Sequence, residues 1–293
     1  IKLHENATVD NLGTTVKEAT FNGETKRINA LEKSLTFDLN GNDMTYTGGT
    51  VTIYDEADGN NYVLEFMDSS VSEGERGGNL NFTGITASTN AVISPSKGTS
   101  LKVSDLNIYC SATGFFPYGN AAEVNIDNCY MKVNGVYCIG TNAGDQENYG
   151  VTINLTNSTF IADNTIDKVN KEDSGDDCTI LINVGGKLNI DNCYITGNRQ
   201  AVVVRAGDAN ITNSNITVTG NSAYSGNRLE GAWSSGNEVA PGALVVGNYV
   251  DGEASAYKAA ADVNVSDTII TSENSGVPAI YADSNKSYES NID

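Results

Sequence analysis

The six residues NIDNCY occur twice, at Asn125–Tyr130 and at Asn189–Tyr194. A hexamer with a cysteine, recurring after 64 residues, admits two explanations. Either two copies assemble a metal or disulfide site, or one structural unit is used repeatedly. Related segments favour the second. LNFTGITA begins at Leu80, LKVSDLNI at Leu101, VNIDNCYM at Val124, INLTNSTF at Ile153, LNIDNCYI at Leu188, ANITNSNI at Ala209 and VNVSDTII at Val263. Their first and third positions alternate with polar ones, as in a half-buried strand. The fifth is a turn residue: Gly84, Asp105, Asn128, Asn157, Asn192, Asn213 and Asp267. The sixth and eighth positions are small or apolar and point inward again.

Start-to-start intervals are 21, 23, 29, 35, 21 and 54 residues. A fixed minimum with insertions is the mark of a coiled solenoid, in which extra residues leave only at corners. A third short strand lies between units: AVIS at Ala91, GFFPYG at Gly114, VYCIG at Val136, TILINV at Thr179, AVVVRAG at Ala201, ALVVG at Ala243 and PAIYA at Pro278. Two strands flanking an Asn turn, then a third strand, make one triangular coil. The predicted fold is an all-β, right-handed parallel β-helix with three strands per coil and a minimum period of about 21 residues.

These coils resemble those of right-handed parallel β-helix proteins of the pectate-lyase-like superfamily, including its bacterial surface and adhesin-like members. LTFDLNGNDMTYTGG (Leu35–Gly49) resembles the opening coil of such surface proteins. The resemblance runs from Leu35 to Tyr288 and concerns the fold, which enzymes, adhesins and phage spikes share. It implies a cap or lead-in over residues 1–34 and a β-helix over 35–293, with insertions at 163–177 and 221–242. It also implies that Asn128, Asn157, Asn192 and Asn213 stack as an asparagine ladder, with side chains turned into a buried corner.

Cys129 and Cys193 share the inward sixth position with Ile85, Leu106, Ser158, Ser214 and Thr268, and so read as small core residues. The coil carrying Ser158 separates them. At about 4.8 Å per coil they are roughly 10 Å apart, beyond the ~7 Å reach of a disulfide. The chain has five cysteines, no Cys-x-x-Cys and a single histidine, His4, so a zinc site is not expected.

Charged residues make up only 18% of the chain, leaving a surface of Asn, Ser, Thr and Gly, a composition common among secreted β-proteins. Ile1 is no initiator, so a leader sequence is expected to have been removed. The net charge of −20 excludes nucleic acid and anionic membranes as partners and opposes acidic polysaccharides unless cations intervene. No apolar run reaches the roughly 18 residues of a membrane span. The Asn-x-Ser/Thr triplets at Asn81, Asn154, Asn157, Asn210, Asn215 and Asn264 mostly arise from the repeat, at its second or fifth position.

SGDDCTILIN (Ser174–Asn183) resembles the paired aspartates of polygalacturonase-type glycosidases. Their Gly-His-Gly and Arg-x-Lys are missing, and Ile166 follows Asn164-Thr165 where an aspartate would be wanted. The carry-over stops at Asp176 and Asp177, and two carboxylates alone do not make a glycosidase. Lyases of the superfamily use calcium and a basic residue. The candidates are Asp173, Asp176 and Asp177 for the ion, with Arg199 and Arg205 beside them. No Ser/His/Asp or Cys/His nucleophile can be assembled.

Function in a solenoid sits on its insertions. Asp163–Asp177 is acidic, and Asn221–Gly242 holds the only tryptophan, Trp233, with Tyr224, Arg228 and Glu230. Both should leave between the second and third strands, with the short connection TGNRQ (Thr196–Gln200) in the coil between them. That places an acidic and an aromatic wall about 10 Å apart, with Arg199 and Gln200 on the floor. Such a cleft suits a sugar, unless Trp233 merely pins its loop. The expectation is an extracellular or cell-surface, non-catalytic adhesin or glycan-binding module whose partner is a carbohydrate or host surface. The alternative is a calcium-dependent polysaccharide lyase or glycosidase.

Overall fold

A computed structural model describes the chain except residues 22–23, 58, 88–89, 142–149, 164–177, 184, 221–240, 248–259 and 284–289. The described strands form three sheets of nine, nine and ten strands, each stacking one strand per coil. Sheet A runs from Leu35–Asp38 to Ser290–Ile292, sheet B from Ala7–Val9 to Ile269–Ser272, and sheet C from Thr15–Phe21 to Ile280–Asp283. All pairings are parallel apart from one hairpin, Thr15–Phe21 with Glu24–Leu31. The molecule is a three-sheet parallel β-helix.

The sheet A register confirms the repeat from Leu101 onward: Leu101, Val124, Ile153, Leu188, Ala209 and Val263 lie one above another. All six side chains are buried in one continuous core. The first segment is out of register. Leu80 pairs with Ile108 in sheet B, and the sheet A strand of its coil is Val63–Met67. Gly84 therefore does not belong to the turn column, nor Ile85 to the cysteine column. The residues preceding Leu35 are built into the coils: Ala7–Val9 underlies Met44–Tyr46, and Glu24–Leu31 pairs with Val51–Ile53.

The six remaining turn residues have left-handed backbones, with φ of 60° at Asp105, 49° at Asn128, 52° at Asn157, 52° at Asn192, 51° at Asn213 and 49° at Asp267. Asn and Asp tolerate this conformation better than other residues bearing a Cβ. The bend lets the amide ladder round the corner without a break: Asn128 N–H donates to Thr156 O, Asn157 to Asp191 O, and Asn192 to Thr212 O, each at 3.1 Å. The asparagines do stack, but the buried ladder expected of them is corrected. Asn157, Asn192 and Asn213 are exposed, and only Asn128 is buried. Glu75 O accepts its amide, from the loop that leads out of Val63–Met67. Backbone conformation, more than burial, selects these residues.

Asn157→Leu should therefore lower stability by about 1–2 kcal/mol through φ strain, whereas Asn157→Gly should avoid that part of the loss. Thermal and urea unfolding of both variants checks this. Equal losses would mean that the amide hydrogen bonds dominate.

The buried column is the next one inward. Leu106 N–H points at the Cys129 sulfur and Ser158 N–H at the Cys193 sulfur. Cys129 N–H donates to Ser158 Oγ at 2.9 Å, and Cys193 N–H to Ser214 Oγ at 3.0 Å. Each group also donates to the carbonyl two residues back: Cys129 to Asp127 at 3.2 Å, Ser158 to Thr156 at 2.6 Å, and Cys193 to Asp191 at 3.3 Å. From Cys129 to Thr268 each inner corner takes a small side chain that both donates and accepts, because the amide one coil earlier would otherwise lack a partner; Leu106, the first of the column, is the exception. Cysteine recurs in NIDNCY because a thiol meets that need. All five cysteines are buried and unbridged.

In its central strands Cys178–Ile182, Gln200–Val204 and Gly242–Gly247, sheet C is buried on both faces, which explains their uninterrupted apolar runs. Its outer side carries a second apolar cluster of Val136, Tyr137, Cys178, Leu181, Val203 and Val245, with Phe116 and Tyr281 against it.

Candidate functional surface

The cleft expected from the sequence falls largely outside the described residues: Trp233, Tyr224, Arg228, Glu230, Asp173, Asp176 and Asp177 all do. The two insertions do leave at equivalent points, between Thr159–Ala162 and Cys178–Ile182, and between Asn215–Val218 and Gly242–Gly247. Gln200 opens its sheet C strand, and Arg199 and Arg205 flank that strand. All three are fully enclosed and offer no surface to a ligand. Among the described residues no group of three His, Cys, Asp or Glu side chains is placed to hold a metal ion. No helix among them is long and apolar enough to cross a membrane.

The cysteines are chemically quiet. Burial pushes the Cys129 thiol up to about 12 and the Cys193 thiol up to about 11. Both stay protonated, as their donor roles require, and a thiol held in that form is a poor nucleophile.

What remains is the outer surface of sheets A and B. Sheet A carries an amide row at the second position of the repeat. Asn154 Nδ2 donates to Asn125 Oδ1 at 2.7 Å, Asn189 to Asn154 at 2.8 Å, Asn210 to Asn189 at 3.3 Å and Asn264 to Asn210 at 3.3 Å. Three of the Asn-x-Ser/Thr triplets thus belong to a structural ladder. Two positions further on, Asp127 accepts from Thr156 Oγ1 at 2.6 Å and Asn157 Nδ2 at 2.8 Å. Asp191 repeats the arrangement with Thr212 and Asn213 at the same two distances. Those hydrogen bonds hold the Asp191 pKa below the ordinary carboxylate value. A groove of about 440 Å³ lies at the N-terminal ends of the sheet A strands Val151–Thr156, Gly186–Asp191, Gly207–Thr212 and Ala261–Ser266, lined by glycines together with Lys187, Asp208 and Asp262.

Sheet B is different in character. Its outward positions after the turn are the seventh and ninth of the repeat, and three of them are tyrosines. Tyr130 and Tyr194 occupy the same column with Thr159 between them. Tyr109 lies one coil before Tyr130 and packs on it, ring centroids 5.9 Å apart. Tyr194 is 58% exposed and Tyr109 39%, unusual for aromatic side chains on regular strands. Thr196, Thr217 and Asn107 present hydroxyl and amide groups around them, and Lys132 is the one charged side chain in the central coils of these two columns. The sequence offered a signal for this surface: once the sixth and eighth positions point inward, a tyrosine at the seventh must point out.

Comparison of the chain with protein-family models, with curated proteins and with solved structures found no match.

Proposed function

We propose that the protein is an extracellular or cell-surface β-helix that binds carbohydrate without catalysing a reaction, in the manner of an adhesin of the pectate-lyase-like kind. The observation that carries this reading is the tyrosine row on the outer face of sheet B, with Tyr194 and Tyr109 exposed and Tyr130 half-buried beside Tyr109. A flat aromatic ring covers the apolar face of a sugar while flanking hydroxyl and amide groups satisfy its hydroxyls. The low content of charged residues and the Asn/Thr-rich surface support a place outside the cell. The enclosure of Arg199 and Arg205 gives no support to a lyase that would need a basic group at its substrate.

The test is binding to immobilised neutral polysaccharides. Tyr130→Ala and Tyr194→Ala should each weaken binding about tenfold or more, as loss of an aromatic anchor does, with the circular dichroism spectrum unchanged. Loss of binding in Trp233→Ala, with both tyrosine variants unaffected, would move the site to the 221–242 insertion. Release of reducing ends or unsaturated products, with or without calcium, would overturn the non-catalytic reading.

A further inference from the structure

We infer that the ligand is an extended, uncharged, β-1,4-linked polysaccharide lying along the solenoid axis over the tyrosine row, an inference that rests on the carbohydrate-binding reading above. The register fixes the direction. Tyr130, Thr159 and Tyr194 are successive members of one column, so the two rings are two coils apart, roughly 10 Å at the spacing of neighbouring strands. An extended pyranose chain advances by about one strand spacing per sugar. In a two-fold ribbon, alternate sugars present the same face. Sugars one and three can then stack on Tyr130 and Tyr194 while the sugar between them turns its hydroxyls to Thr159.

A chain running along a strand would find no such match. The strands Asn107–Cys110, Tyr130–Val133 and Tyr194–Gly197 contribute one tyrosine each, so no strand offers a second ring. Tyr109, packed on Tyr130, widens the platform at the end nearer the N terminus.

Charge selects the substrate class. The chain as a whole carries −20, and the outer face of sheet A holds Glu123, Asp127, Asp191, Asp208 and Asp262. The tyrosine columns hold no carboxylate from Asn107 through Thr217. An anionic polysaccharide would have to approach against the field of the whole molecule. A neutral one meets aromatic, hydroxyl and amide groups together with Ile161, and a single cation, Lys132.

The test is calorimetric titration of the whole chain with cello- and manno-oligosaccharides of increasing length. Affinity should rise by about tenfold once the oligomer reaches ~3 sugars and spans both rings. Tyr194→Ala should abolish this gain, so that longer oligomers bind no more tightly than the disaccharide binds to the same variant. A disaccharide that binds as tightly as the longer chains would overturn the axial arrangement and leave carbohydrate binding standing. Absence of binding to every saccharide would overturn both.

Discussion

Phe82→Ala should destabilise the N-terminal third of the solenoid by about 3–5 kcal/mol, the usual cost of deleting a buried phenylalanine ring. Phe82 is 1% exposed and sits where all three sheets meet. Its ring lies 5.9 Å from Tyr46, 6.2 Å from Phe66 and 6.4 Å from Phe115, edge-on to each. Phe66 in turn stacks on Phe37 at 5.3 Å. Edge-to-face pairs add about 0.5–1.5 kcal/mol each beyond burial, so one substitution removes both a large volume and three directed contacts. Because coils contact only their neighbours, the loss should be read locally as well as globally. Amide hydrogen exchange should accelerate first in the strands Met44–Tyr46, Val63–Met67 and Asn79–Phe82, ahead of sheet A strands near Asn189. Phe82→Leu should recover part of the stability. If Phe82→Ala unfolds at the same urea concentration as the parent protein, the aromatic cluster is not what holds these coils together.

The second large effect belongs to Asp68 and to acid. Its side chain is buried, 2% exposed, and accepts Gly41 N–H at 3.0 and 2.9 Å, Ser70 N–H at 2.9 Å, Ser70 Oγ at 2.6 Å and Gly78 N–H at 2.7 Å. Burial alone would raise its pKa, but these donors outweigh burial and hold the carboxyl below its ordinary value. Asp55 and Asp38 behave alike, each held down to about 2 by hydrogen bonds that outweigh burial. Depressed folded-state values mean that this stabilisation is complete above about pH 4, the pKa of an unfolded aspartate. It declines as pH falls towards 2, because the unfolded chain binds protons first. Asp68→Ala should cost about 3 kcal/mol or more at pH 7, since several buried amides lose their acceptor together. Asp68→Asn should cost less. It should also flatten the fall in unfolding free energy between about pH 4 and pH 2 relative to the parent. That comparison cancels the relief of charge repulsion that acid brings to both proteins. Identical pH slopes would show that Asp68 titrates normally.

Fold and site were legible to different degrees, for physical reasons. Every turn aspartate or asparagine in the aligned column has a left-handed backbone, because that conformation restricts residue type strongly enough to leave a mark. The Leu80 segment misled because strands of sheets A and B alternate with the same period of two. Only the turn residue tells them apart, and Gly84 imitates one. Its own constraint is close packing: a Cβ there would collide with the carbonyls of Thr47 and Gly48. The ladder of Asn125, Asn154 and Asn189 is visible as a column of identical residues, but residue identity alone does not distinguish it from the column of turn asparagines. The insertions on either side of Thr196–Gln200 point to Arg199 as the floor of a cleft, and Arg205 is a basic residue close by in sequence. Yet AVVV between them shows no alternation, and a strand enclosed on both faces can enclose its ends as well. The outward direction of Tyr130 and Tyr194 is readable from alternation alone, whereas Trp233 lies outside the described residues.

The donors and acceptors of the Asn corner give the stack a grammar with a period of two. Coils reading Asp-Asn-Cys alternate with coils reading Thr-Asn-Ser: Asp127 receives Thr156 and Asn157, and Asp191 receives Thr212 and Asn213. Removing the coil between two aspartates would set like charges about 4.8 Å apart and put a second carboxylate where the threonine hydroxyl donor had been. Lengthening or shortening by one coil therefore breaks the pairing, while adding or deleting two preserves it. The 64-residue separation of the two NIDNCY hexamers is one such double step, enlarged by the insertion it carries. Within the four coils from Asp127 to Ser214, a version that keeps the same corner should differ from this one by an even number of turns.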